Sequence, residues 1–219
     1  MKSKIFEYLF EKILDHKIKS DFNLNSYIYF KNANGINKWG NEFNEFFKSK
    51  KRWDANLTKK EEYEIETYEY YAGYVSEKMN NLLRGKQTIL FPELIERRIE
   101  SLSKSLLNFR LKNNLIVIRR FPKSEFNHKL RKGDFYCEKG FLSTSLNLSS
   151  RLDTESNYRP INNEVLMLLK VPKGTNACYI EQISKRQEYE LIIQKGKKIK
   201  IEKNLKIINN RIVIGKITS

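Results

Sequence analysis

The chain has 219 residues, 40% hydrophobic and 12% aromatic, which suits one folded domain with or without a short arm and excludes global disorder. Two histidines, and two cysteines without CxxC spacing, exclude a histidine-based metal centre or a Ser-His triad. With 42 Lys+Arg against 26 Asp+Glu the formal charge is +16, a field that draws anions without choosing among phosphates, acidic proteins and nucleic acid.

Ile5, Leu9 and Ile13 recur at helical spacing, and Glu7, Glu11 and Asp15 interrupt the apolar stretch. An amphipathic arm over residues 1–30 is therefore expected rather than a signal peptide. No segment reaches the ~20 apolar residues of a membrane span. Residues 38–48 place Trp39, Phe43, Phe46 and Phe47 on one helical face. Thr58 with Glu61 three positions on has capping-box form and heads a helix through about Tyr71. Gly73 interrupts it, Val75 to Leu83 resumes helical spacing, and Gly85 supplies a stop. Glu93 to Phe109 predicts a further helix with Leu94, Ile95, Ile99, Leu102 and Leu106 as its buried stripe.

The period then changes. Short β-branched runs at 115–118, 165–171, 191–193, 199–201 and 212–217 read as strands, and residues 147–163 as a long polar loop. Helices first and strands afterwards predict an α+β fold, not a parallel βαβ sheet. Neither GxxxxGK[ST] nor GxGxxG occurs.

Three local patterns carry chemistry. Leu115 to Ile118 ends in Arg119-Arg120, which is either a strand running into solvent or a guanidinium fork at a strand terminus for a phosphate. Gly140-Phe141-Leu142 precedes Ser143-Thr144-Ser145, which alone reads as a β edge with cross-strand hydroxyl bonds. Glu188-Tyr189-Glu190 opens the run Leu191 to Ile193, and an extended backbone would point both carboxylates to one side. Like charges held so close need a purpose, because they repel.

In that order, the three patterns resemble the Arg/Ser-Thr-Ser/Glu-x-Glu signature of bacterial mono-ADP-ribosyltransferase toxins. Among these the likeness is to the enzymatic components of clostridial and bacillary actin-modifying binary toxins such as iota toxin. It spans about residues 36–217 and includes Trp39-Gly40, Leu57-Thr58, Tyr71-Ala72-Gly73, Asn80 to Gly85, Val171-Pro172-Lys173 and Gly196 to Ile201. The resemblance implies a helical lobe packed on a two-sheet antiparallel β core, residues 31–219 forming a single ADP-ribosyltransferase catalytic domain with NAD as substrate and no metal. It implies that Arg119 binds the NAD phosphates and that Arg120 holds the nicotinamide half through its main chain. Ser143 would orient the catalytic Glu190, Thr144 and Ser145 would stabilise that corner of the cofactor site, and Tyr71 and Asn80 would close over the nicotinamide ribose. Glu188 is the position associated with arginine as acceptor.

Breaking the nicotinamide–ribose bond develops positive charge on the sugar, the problem glycosidases solve with carboxylates. Four positions depart from the family pattern: Gly140 for Asn, Ser124 for Gln, Ser76 for Tyr and Asn163 for Arg, with Arg151 or Arg159 as replacements for the last. The turn Gln182 to Gln187 lacks the aromatic that actin modifiers carry, so actin is a target by analogy only. The expected activity is ADP-ribose transfer to an arginine of a host protein. An NAD glycohydrolase and a non-catalytic docking domain are the alternatives. A separate translocation component is a possible partner, with action in the host cytoplasm after secretion or delivery. Scattered basic residues without interleaved aromatics argue against nucleic acid.

Overall fold

The chain folds as helices followed by strands because its apolar period switches from 3.6 to 2 near residue 110. The computed structural model describes residues 12, 15, 16, 18–20, 22, 26–49, 57–86, 91–122, 126, 130–147, 164–184, 188–207 and 210–218. The start of the arm, most of the 147–163 loop with Arg151, Arg159 and Asn163, Ser124, and residues 185–187 lie outside these.

In the helical lobe, the expected single helix at 38–48 is two, α1 (Ala33–Trp39) and α2 (Asn41–Ser49), divided at Gly40. Glycine at the break has a steric reason. A Cβ on Gly40 would lie 2.4 Å from the Tyr179 ring, so the chain must turn on a residue without one. Helix α3 (Lys59–Tyr70) starts on Thr58, whose hydroxyl accepts the Glu61 N–H while the Glu61 carboxylate takes the Thr58 N–H. A π-helical turn, Tyr71–Val75, follows, with non-helical φ/ψ at Gly73 (−91°, −133°). Helix α4 (Ser76–Arg84) then ends at Gly85 with φ +68°, a left-handed cap that glycine adopts at little cost. Helix α5 (Pro92–Leu106) buries Ile99, Leu102 and Leu106, each such side chain contributing about 1.5–3 kcal/mol. Leu94, expected on that stripe, is instead 59% exposed. It lies in the first turn of a helix that packs chiefly on α3 and α4.

Among the described residues eight strands follow: β1 (Leu115–Pro122), β2 (Phe135–Glu138), β3 (Leu142–Ser145), β4 (Glu164–Val171), β5 (Ala177–Tyr179), β6 (Glu190–Ile193), β7 (Lys197–Ile207) and β8 (Asn210–Thr218), with the short α6 (Glu181–Ser184) before β6. Their order is β2-β7-β8-β4-β1-β3-β6-β5. The pairing is antiparallel except for β4 with β8, which run parallel. The two-sheet expectation takes a particular form here. Five strands and three strands are joined through a single register pair, Ile118↔Ser145. Beyond it β1 and β3 part, and the candidate site lies where they do.

The larger part of the sheet is covered on both faces. Leu115, Val117 and Phe121 join Met167, Leu169 and Val213 in the main core beneath the helical lobe. On the other face Ile116, Ile118, Leu168, Ile212 and Ile214 are covered by Ile18 and Phe22 of the N-terminal segment. Among the described residues no helix is long and apolar enough to cross a membrane.

Candidate active site

Arg119 and Arg120 lie within β1, not at its end, because all eight residues of β1 pair with β4, from Leu115↔Val171 to Pro122↔Glu164. This corrects the expected strand-end fork. Alternation sends the two side chains to opposite faces. Arg119 shares the face of Val117 and Phe121, its guanidinium carbon 4.6 Å from the Phe121 ring centre. Arg120 shares the face of Ile116 and Ile118, so its side chain points away from the Arg119 cluster, and only its main chain borders that region.

Arg119 is 8% exposed, and its Nη1 donates to the Ser143 carbonyl at 3.0 Å, bridging the gap between β1 and β3. On β3, the Ser143 hydroxyl donates to Glu190 Oε1 at 2.5 Å. The register explains this reach. Ser145 faces Glu190 and Ser143 faces Ile192, which puts Ser143 diagonal to Glu190 on one face. Glu190 is 2% exposed, so the hydroxyl fixes a carboxylate that bulk water barely touches.

Thr144 and Ser145 belong to the scaffold of this corner. The Thr144 hydroxyl donates to the Leu191 carbonyl at 2.8 Å. Ser145 Oγ lies 2.6 Å from the Glu188 carbonyl and accepts the Asn147 N–H at 3.1 Å.

The Glu-x-Glu segment differs from the extended form expected. Tyr189 has φ +51°, and β6 begins only at Glu190. Strand alternation therefore does not set the relation of Glu188 to Glu190. A pinned left-handed turn does: the Tyr189 N–H donates to Glu181 at 2.6 Å, and its carbonyl accepts the Leu146 N–H at 3.0 Å. Glu188 is half-buried beside this turn.

The helical lobe closes the site from the other side. Tyr71, fully buried, meets Phe141 edge-on at 5.7 Å, and Asn80 Nδ2 donates to its hydroxyl at 3.4 Å. Burial first, and then the Glu190 charge, push the Tyr71 hydroxyl well up, so it stays protonated as a donor at neutral pH. Asn80 Oδ1 accepts the Phe141 N–H at 2.8 Å. This contact accounts for Gly140: a Cβ there would lie 2.5 Å from Asn80 Oδ1, so the small residue lets Asn80 reach the strand.

One group of residues was not singled out from sequence. Glu138, at the end of β2 and 2% exposed, receives Arg84 Nε at 2.9 Å, Arg84 Nη2 at 2.8 Å, the Tyr136 hydroxyl at 3.1 Å and the Gly140 N–H at 2.8 Å. Arg119 Nη2 stands 3.7 Å from the same carboxylate. Burial works to raise the Glu138 carboxyl, but the Arg84 hydrogen bonds and the two guanidinium charges prevail and hold it below its ordinary value. Arg84 entered the sequence reading only within the Asn80 to Gly85 stretch, and nothing there marked Glu138.

These residues fit an anionic, pyrophosphate-bearing ligand such as NAD. Arg119 Nε is buried with no hydrogen-bond partner, a donor still in need of an acceptor. Among the described residues no group of three His, Cys, Asp or Glu could hold a metal ion.

A family model described as ADP-ribosyltransferase exoenzyme matches residues 36–217. Among solved structures, Plx2a, an ADP-ribosyltransferase toxin from Paenibacillus larvae, is 25% identical, with 88% of this chain and 100% of that one covered at TM-score 0.67. C3stau2 from S. aureus, solved with NAD, is 18% identical, with 89% of this chain and 99% of that one covered at TM-score 0.65. The ADP-ribosylating toxin BECa of a C. perfringens binary enterotoxin, solved with NADH, is 18% identical at TM-score 0.69, covering 88% of this chain and 50% of that one. No curated protein sequence matches the chain. The family-model match covers most of the chain and places it in the ADP-ribosyltransferase exoenzyme family.

Proposed function

We propose that this protein transfers ADP-ribose from NAD to an arginine side chain of a host protein and releases nicotinamide. The observation that carries this reading is the Ser143–Glu190 hydrogen bond beside Arg119, where β1 and β3 part. Arg119 is suited to hold the diphosphate. Glu190, fixed by Ser143, is suited to accept a ribose hydroxyl and offset positive charge as the C–N bond breaks and its electron pair leaves with nicotinamide. Glu188 would take the proton that the acceptor guanidinium must lose to attack, since that group has a pKa above ~12. Arg120 would contribute through its main chain, and Tyr71 and Asn80 would wall the nicotinamide side.

The target is a host protein reached in the host cell, by way of a separate translocation component or another route. Actin is one analogy for it.

Purified protein with labelled NAD and host lysate is expected to label a discrete band that neutral hydroxylamine strips. Glu188→Gln should keep nicotinamide release and lose the label, and Glu190→Gln should lose both. Release of nicotinamide without any labelled band would point to the glycohydrolase instead. A label resistant to hydroxylamine would sink the arginine acceptor.

A further inference from the structure

Arg119 must be held firmly enough to meet a ligand, yet not be consumed by the protein. Its surroundings suggest how both conditions are met. Of its donors, Nη1 is bonded to the Ser143 carbonyl, Nε has no partner, and Nη2 is 3.7 Å from Glu138, within ion-pair range but beyond a hydrogen bond. Glu138 does not come closer because its oxygens already receive four donors: two from the Arg84 fork, one from Tyr136 and one from the Gly140 backbone. A planar guanidinium meeting a carboxylate two-to-two fills the most favourable acceptor directions. The carboxylate thus exerts a field on Arg119 without capturing its donors.

The same fork ties the end of α4 to β2, across 54 residues of sequence. We infer that Glu138 is a positioning residue for the donor substrate, orienting Arg119 through charge, and that Arg84 saturates Glu138 so that the Nε and Nη2 donors of Arg119 stay available to a diphosphate. This rests on the reading of Arg119 as the phosphate ligand. It assigns to Glu138 and Arg84 the setting of NAD affinity, as distinct from the bond-breaking step assigned to Glu190.

The two residues are then coupled, so that removing one relieves the loss of the other, which separates this role from a structural clasp. Glu138→Gln frees Arg119 and is expected to raise the NAD KM and Kd roughly tenfold or more, with a much smaller change in kcat at saturating NAD. Arg84→Gln leaves Glu138 with Arg119 as its nearest cation. The carboxylate should close on Arg119 and compete with phosphate, again weakening binding. In the double variant the competing carboxylate is gone, so NAD should bind more tightly than to Arg84→Gln alone.

Equilibrium NAD titration well below the melting temperature of each variant, together with steady-state nicotinamide release, reads these effects on folded protein. Wild-type Kd in Glu138→Gln would overturn the inference, as would a double variant that binds more weakly than Arg84→Gln. Should Glu138→Gln fold poorly, Arg84→Gln decides alone, and wild-type Kd for NAD in that variant would overturn the inference. Absence of NAD binding by the wild-type protein would count against the parent reading of the site and is distinguishable from either result.

Discussion

At the residue scale the site depends on one hydroxyl fixing one buried carboxylate. Ser143 contributes little area, but without it Glu190 loses its hydrogen-bonded orientation in a place water hardly reaches. Ser143→Ala should therefore lower kcat for nicotinamide release by roughly ten- to a hundredfold while changing the NAD KM far less, as steady-state kinetics would register. An equal loss in KM alone would mean that Ser143 serves binding and not Glu190. Gly140→Asn should destabilise the protein in chemical denaturation, because its Cβ would lie 2.5 Å from Asn80 Oδ1. That Ser143, Glu190 and Arg119 come together was legible from sequence because each sits in a short contiguous pattern. Glu138 was not, since its partners arrive from α4 and β1 and only folding brings them together.

At the element scale, local signals were read well where they are local. The Thr58–Glu61 box, the Gly73 interruption and the Gly85 stop all appear in the structure. Thr58→Ala should cost about 1 kcal/mol, measurable as a shift in urea midpoint without a change in m. Where tertiary contacts decide, the sequence was silent. The need for glycine between α1 and α2 follows from Tyr179, nearly 140 residues on. The two arginines continue β1 because β4 pairs with it to Pro122. The kink at Tyr189 depends on Glu181 and Leu146. Gly40→Ala tests the first of these. With a Cβ 2.4 Å from a buried ring, it should destabilise the protein by about 1–3 kcal/mol in chemical denaturation.

At the scale of the whole molecule, the lobe and the sheet are joined by the shared core and by the Arg84–Glu138 pair that spans them. That pair links stability to pH. The folded Glu138 carboxyl titrates below its ordinary value of 4.5, so the unfolded chain binds its proton first as pH falls. Its stabilising contribution is complete above 4.5 and is lost as pH drops through the folded value. Glu138→Gln should accordingly flatten the acid limb of the stability curve and leave its slope above neutrality unchanged, as thermal melts across that range would record.

The most direct measurement is single-turnover nicotinamide release by Glu190→Gln beside its equilibrium affinity for NAD. If Arg119 binds the donor while the Ser143-held carboxylate promotes bond cleavage, the variant binds NAD within a fewfold of the unaltered protein and releases nicotinamide at least a hundredfold more slowly. Release at the unaltered rate, with NAD bound normally, would contradict it.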